Sequence, residues 1–254
     1  GIGNVWKFPY LCGQMGGAAF ILIYLVFLLI MGVPVMICEF AIGRGSHFSV
    51  AAAFEKLEPE GTRWHISKWI GILGSYLLMM FYTSVGGWMM YYCFRSIRGD
   101  FVGNSAEEVG AKFTKMLADA PNMAFWTILI CVIGFAICWF GIQNGIEKVS
   151  KVMMSVLMVL MIILAVHSVF LKGAGAGIRF YLIPDFRKMA EIGIGNVIFG
   201  AMSQAFFTLS IGIGAMMIFG SYLERNRSLA GEALSITGLD TFVALMAGFI
   251  IIPA

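Results

Sequence analysis

The chain has 254 residues, of which 60% are hydrophobic and 12% are charged, and its formal net charge is +3. A soluble domain carries about 25% charged and about 45–50% apolar residues, so this composition indicates an integral membrane protein. The basic residues are few and scattered along the chain, and this pattern argues against a nucleic-acid partner.

Runs of about 20 apolar residues predict membrane-spanning helices. We expect about seven of them, the first one partial, at residues 1 to about 12, 18–42, 69–94, 125–140, 152–171, 192–222 and 229–253. The chain has no initiator Met, opens inside a glycine-rich motif and closes inside an apolar run. We therefore expect a fragment of a longer multi-pass protein.

Two of these segments are interrupted by glycines and small polar residues, at residues 1–4 (GIGN) and 208–214 (TLSIGIG). In lipid every backbone N–H and C=O needs an internal partner, so such breaks persist where they line a cavity or a ligand. A matched pair of interrupted spans is typical of the binding site of a secondary transporter. The alternatives are that the glycines only allow close helix packing, or that the hydroxyls bond back within an ordinary helix.

A few polar side chains lie inside apolar segments. A carboxylate at the centre of a spanning helix costs about 2.5–3.5 kcal/mol, so we expect Asp240 to face a cation or a polar cavity unless its depth is shallow. Glu39, near the end of the second span, favours a capping or pairing role over a ligand role. Lys7 is either an interface residue that reaches the headgroups or a gate charge. The Tyr82 hydroxyl would normally bond a neighbouring backbone.

Nothing in the chain indicates enzymatic chemistry. The three histidines (His47, His65 and His167) do not have the spacing of metal ligands, and no G-x-S-x-G nucleophile motif is present. We therefore predict that the protein is not an enzyme.

Several motifs together resemble the neurotransmitter:sodium symporter family, in its bacterial amino-acid-transporter branch. They are GIGNVWKFPY and GGAAF near the start, CEFAIGRG at 38–45, FYTSVGGW at 81–88, GIEKVSK at 145–151 and QAFFTLSIGIGA at 204–215. The resemblance implies an all-α, inverted-repeat secondary transporter of the leucine-transporter-like fold, with helices 1 and 6 unwound at their centres. Residues 1–254 would then be a single but incomplete transmembrane domain, from the second half of helix 1 to helix 7.

The resemblance also implies a set of site residues. Substrate-binding residues would be Ile2, Gly3, Leu78, Tyr82, Phe207, Thr208, Ser210 and Ile213, a sodium ion would be held by Asn4, Thr208 and Asp240, and gate residues would be Lys7, Gln204, Phe207, Ser221 and Tyr222. In this set the backbone of Ile2 and Gly3, with the Tyr82 hydroxyl, would hold the substrate carboxylate. The Phe207 ring would form a lid over the substrate.

One departure from the family pattern bears on ion dependence. The family often has Asn where this chain has Asp240, and chloride-dependent members keep Ser where this chain has Ala244. A fixed carboxylate beside the sodium would supply the negative charge that chloride otherwise provides, so we expect chloride independence.

The implied function is sodium-coupled symport of an amino acid across the bacterial inner membrane. Leu78 and Ile213 favour a substrate with an apolar or aromatic side chain. The expected partners are Na+, the amino acid and membrane lipid, while homo-oligomerisation is left open. One alternative is a proton-coupled amino-acid transporter of the same fold, with Asp240 as the proton carrier. A non-transporting seven-span receptor is another, suggested by the span count alone.

Overall fold

The computed structural model describes residues 3–171 and 173–253, and for residues 142–144 it describes the backbone alone. Every regular element in these ranges is helical, which confirms the all-α prediction. Gly1 and Ile2, at the centre of the first predicted break, lie outside the described residues.

The α-helices are α1 (Phe8–Gln14), α2 (Ala18–Phe27), α3 (Val33–Ser46), α4 (Val50–Leu57), α5 (Ser67–Ile97), α6 (Ala106–Ala118), α7 (Ala120–Trp139), α8 (Lys148–Val169), α9 (Ala174–Leu182), α10 (Phe186–Ile192), α11 (Ile194–Leu209), α12 (Ala215–Ser221) and α13 (Leu229–Ile251). Wider π-helical turns occur at Gly3–Lys7, Leu28–Gly32 and Ile142–Glu147, and a 3-10 turn at Trp64–Ile66. The turn at Leu28–Gly32 joins α2 and α3 into one long helix.

Within the described residues, five helices are long and apolar enough to cross a membrane: Ala18–Ser46, Trp64–Ile97, Ala120–Trp139, Gly145–Val169 and Leu229–Ile251. They correspond to five of the predicted spans, with ends displaced because hydropathy detects the apolar centre of a helix and not its polar ends. Helices α10 and α11 meet at a bend of 97° and together would make a sixth. The other two predicted spans are the short α1 with its π-helical turn, and the interrupted pair α11 and α12.

The chain divides into two compact units, Gly1–Leu73 with Val156–Ala254, and Gly74–Ser155. The first unit contains both predicted breaks. Its core includes three aromatic rings from α1 and α2, those of Phe8, Phe20 and Tyr24, which are fully buried. The Phe8 and Tyr24 ring centroids lie 5.1 Å apart. This packing fixes α1 against α2 and so positions the turn that precedes α1.

Glycines allow α3 and α12 to pack backbone against backbone. A Cβ atom built on Gly43 would lie 2.9 Å from the Cα atom of Met217, and one on Gly220 would lie 2.7 Å from the Phe40 carbonyl oxygen. Both obstacles are backbone atoms, which cannot move aside as the end of a side chain can. The close pairing of α3 with α12 therefore depends on these glycines.

We expect Gly43→Ala to lower the thermal stability of the purified protein, because the added methyl group must push α12 away from α3. Overpacking of this kind costs about 1–3 kcal/mol. The control is Gly13→Ala in α1, where a Cβ atom would meet nothing within 4 Å. Melting temperatures in the same detergent compare the two variants. Equal melting temperatures would show that the α3–α12 contact does not need a glycine.

Candidate functional site

The second predicted break lies between α11 and α12. The helix ends at Leu209 and resumes at Ala215, and between them Ser210, Gly212 and Gly214 have positive φ angles of 52°, 89° and 75°. A left-handed conformation interrupts the helical hydrogen bonds, and glycine adopts it without the steric penalty of a Cβ atom. The chain is therefore broken here, and the alternative of an ordinary helix with back-bonded hydroxyls is wrong.

Glu39 of α3 satisfies the backbone of this break. Its Oε1 atom accepts hydrogen bonds from the backbone N–H groups of Gly212 (2.7 Å) and Gly214 (3.3 Å), and its Oε2 atom accepts one from Met216 (3.0 Å). The side chain is buried. These N–H groups have no helical partner because the helix is interrupted, and a carboxylate at a helix start is also favoured by the helix dipole. Glu39 therefore has the structural role that the sequence favoured.

The described part of the first predicted break, Gly3 and Asn4, belongs to a π-helical turn, Gly3–Lys7, and both residues are buried. Three side chains from distant parts of the chain meet here. Asn4 donates from Nδ2 to the Asp240 side-chain Oδ1 (2.6 Å) and to the Asp240 carbonyl oxygen (2.9 Å). Thr208 Oγ1 lies 2.7 Å from Asp240 Oδ2 and also contacts Asn4 Oδ1. The three residues predicted to hold sodium thus lie together.

The hydrogen-bond capacity of this cluster points to a cation. A threonine hydroxyl has one proton, so Thr208 can donate to Asn4 Oδ1 or to Asp240 Oδ2, but not to both. The remaining pair of oxygen atoms then face each other, and either a positive ion between them or a proton on the Asp240 carboxyl group would stabilise this arrangement. Carboxylate, amide and hydroxyl oxygens are the ligands that hard cations take in proteins. The residues present therefore fit a sodium ion.

The aromatic ring of Phe207 lies directly against the first break. A Cβ atom on Gly3 would be 2.9 Å from Phe207 Cε1, so only glycine leaves room for the ring at this position. On another side of the ring, the Lys7 ammonium nitrogen lies 3.8 Å from the ring centroid. This is a cation–π contact. Lys7 is therefore placed beside the predicted lid, as a gate charge would be.

Gln204 and Tyr24 lie next to the cluster of Asn4, Thr208 and Asp240. Gln204 is fully buried and donates from Nε2 to the Gly3 carbonyl oxygen (3.1 Å). The Tyr24 hydroxyl, also buried, lies near the side chains of Thr208, Thr241 and Asp240. Among the described residues, neither Tyr24 Oη nor Gln204 Oε1 has a hydrogen-bond partner. Sequence reasoning missed Tyr24, although it is the one hydroxyl in the apolar run of α2.

The predicted inner-gate residues lie at the end of α12. Ser221 donates its hydroxyl to the Ile218 carbonyl oxygen (2.7 Å), and its own carbonyl oxygen lies 3.3 Å from Nδ1 of His47. Tyr222 is exposed. The sequence did not indicate the His47 contact, since it depends on the left-handed backbone of His47 at the end of α3.

The remaining predicted site residues are Ile213, Leu78, Tyr82 and Ile2. Ile213 lies in the break, where its carbonyl oxygen faces Gly71. Leu78 and Tyr82 belong to the second unit, on α5, and their spacing of four residues puts them on one face of that helix. Ile2 lies outside the described residues.

Comparison with known proteins shows which family this chain resembles. The model of the sodium:neurotransmitter symporter family matches residues 1–109 and 107–254. An uncharacterised sodium-dependent transporter of Bacillus subtilis (strain 168), YhdH, is 35% identical over 100% of this chain and 55% of its own length. The sodium-dependent serotonin transporter of Drosophila melanogaster is 29% identical over 98% of this chain and 45% of its own length.

A solved structure of a related protein is also similar to this chain. The crystal structure of MhsT in complex with L-phenylalanine matches with a TM-score of 0.90 and 39% identity, over 100% of this chain and 57% of that chain. The chain thus spans about half the length of the relatives it matches. These relatives are transporters and not enzymes. The helices, the break between α11 and α12 and these matches agree: this multi-pass membrane protein belongs to the sodium:neurotransmitter symporter family.

Proposed function

We propose that the protein carries out sodium-coupled symport of an amino acid with an apolar or aromatic side chain across the bacterial inner membrane. The observation that carries the proposal is the contact among the Asn4, Thr208 and Asp240 side chains, which joins the turn before α1, the end of α11 and α13. One ion there contacts both helix breaks and α13, so its binding helps to assemble the substrate site.

The substrate is assigned to the two breaks. The backbone of Ile2 and Gly3 and the Tyr82 hydroxyl bind its carboxylate, and carbonyl groups of Phe207, Thr208 and Ser210 accept from its ammonium group. Leu78 and Ile213 line the pocket for its side chain. Lys7, Gln204 and Phe207 close one end of the path, and Ser221 and Tyr222 the other, as the helices rock between two states.

Chloride independence is part of the proposal. The Asp240 carboxylate places a fixed negative charge beside the sodium, while the buried Ala244 one turn later offers no hydroxyl to an anion. A site that already contains this charge does not need a chloride ion to balance the sodium.

The test measures uptake of the twenty amino acids, beginning with L-phenylalanine, by the full-length protein in proteoliposomes. We expect uptake to require a sodium gradient at constant pH and to persist when gluconate replaces chloride. Uptake without sodium that follows a proton gradient would favour the alternative in which Asp240 carries a proton. Binding without any uptake would favour a receptor, and loss of uptake in gluconate would overturn chloride independence.

A further inference from the structure

Helix α9 links several elements of the first unit, although it lies in the connection between α8 and α11 and outside the five long apolar helices. The carbonyl group of Phe180 lies against Gly17, in the turn between α1 and α2, so closely that a Cβ atom at Gly17 would overlap it. The next side chain, Tyr181, packs instead on α13. Two successive residues of α9 thus contact two different elements.

The contact of Tyr181 with α13 is specific. Its hydroxyl donates to the Leu245 carbonyl oxygen (2.9 Å), and its ring lies at 72° to the Phe249 ring, with the centroids 4.8 Å apart. Only 2% of the residue is exposed. Burial raises the pKa of the Tyr181 hydroxyl, so the group keeps its proton and remains a hydrogen-bond donor.

Glycines on both helices make this contact possible. A Cβ atom on Gly248 of α13 would overlap the phenol ring of Tyr181, and a Cβ atom on Gly177 of α9 would lie 2.5 Å from the Ile252 carbonyl oxygen. The joint between α9 and α13 therefore has no room for the two helices to slide past each other. It fixes the position of α13 along its own axis.

This joint is close to the sodium ligands. Leu245 follows Asp240 by five residues on α13, which is about 7.5 Å along a helix axis. Thr208 is on α11, and α10 is the one helix between α9 and α11 along the chain. Asn4 lies just before α1, and the turn between α1 and α2 contacts Phe180 of α9. Helix α9 therefore contacts α13, which carries Asp240, and the turn that follows α1, and the chain runs from it through α10 into α11.

We propose that Tyr181 is a positioning residue for the sodium site, because its bond to Leu245 holds Asp240 in register with Asn4 and Thr208. The proposal rests on the proposed function, since it assigns to α9 a role in sodium binding at that site. The proposal also predicts that a substitution in α9 alters sodium affinity although α9 carries no sodium ligand.

The test uses Tyr181→Phe in the full-length protein, which keeps the ring on Gly248 and removes only the hydroxyl. The readout is the sodium concentration that gives half-maximal binding of L-phenylalanine. We expect it to rise about threefold to tenfold, the range that corresponds to the loss of one hydrogen bond. The affinity for phenylalanine at saturating sodium should stay unchanged, because the substrate site itself is intact.

The matched control is Ser168→Ala. Ser168 of α8 is buried and donates to the Ile250 carbonyl oxygen of α13 (2.9 Å), a bond of the same kind. This bond meets α13 about 15 Å along the α13 axis from Asp240, and α8 carries no sodium ligand. We therefore expect no shift in the sodium concentration that gives half-maximal binding. An unchanged sodium curve for Tyr181→Phe, or equal shifts in both variants, would overturn the positioning role. If the unsubstituted protein showed no sodium response, the proposed function itself would fail, and this inference with it.

Discussion

Asp240→Asn is expected to raise the sodium concentration for half-maximal uptake by at least about tenfold, which corresponds to about 1.4 kcal/mol. Asn has the shape of Asp, so the surrounding hydrogen bonds can be kept. Its Oδ1 atom can accept from Asn4 Nδ2, while its amide group donates to Thr208 Oγ1, which in turn donates to Asn4 Oδ1. The substitution therefore removes the negative charge and leaves the local packing intact.

The control for this variant is Glu224→Gln, which neutralises an exposed carboxylate in the segment between α12 and α13. Sodium dependence is measured by uptake in proteoliposomes at constant ionic strength, with choline replacing sodium. We expect the control to match the unsubstituted protein. A half-saturating sodium concentration that is the same in Asp240→Asn as in the control would show that the carboxylate does not bind the ion.

The three expected sodium ligands came from the resemblance to the symporter family, and the apolar pattern of the sequence independently marked two of them as unusual. Asp240 is a carboxylate within a run of apolar residues, and Thr208 stands immediately before a glycine-rich break. Burial of such groups is costly in lipid, so they must find partners, and the structure brings them to one another. The break at Gly212 and Gly214 was predictable for the same reason, since a helix interrupted in lipid needs other hydrogen-bond partners.

Other parts of the site were not predictable from local pattern. Tyr181 lies in a segment between spans, and only the fold brings it onto Gly248 and Leu245. In the sequence Tyr24 is indistinguishable from an ordinary core aromatic residue. Only the packing of α2 against α11 brings its hydroxyl near the site. Contacts between distant segments are set by packing, which a periodicity in the sequence does not encode.

Glu39→Gln is expected to destabilise the protein by about 3 kcal/mol and to abolish transport. The two carboxylate oxygens of Glu39 accept from three N–H groups, those of Gly212, Gly214 and Met216. Gln has one oxygen acceptor, and its amide group would point N–H against N–H at one of these positions. Each buried donor left without a partner costs about 1–3 kcal/mol, and the favourable charge at the start of α12 is lost as well.

Thermal unfolding in detergent measures the stability, and uptake at a temperature below the melting transition measures the function of the folded fraction. Glu191→Gln serves as the control, because Glu191 is an exposed carboxylate in α10. A melting temperature of Glu39→Gln that equals that of the control would contradict the role of Glu39. The break between α11 and α12 requires a buried acceptor from another helix, and the Glu39 carboxylate of α3 is the group that supplies it. Transport should therefore be lost even in molecules that remain folded, because the segment that carries Thr208 and Ser210 is no longer held.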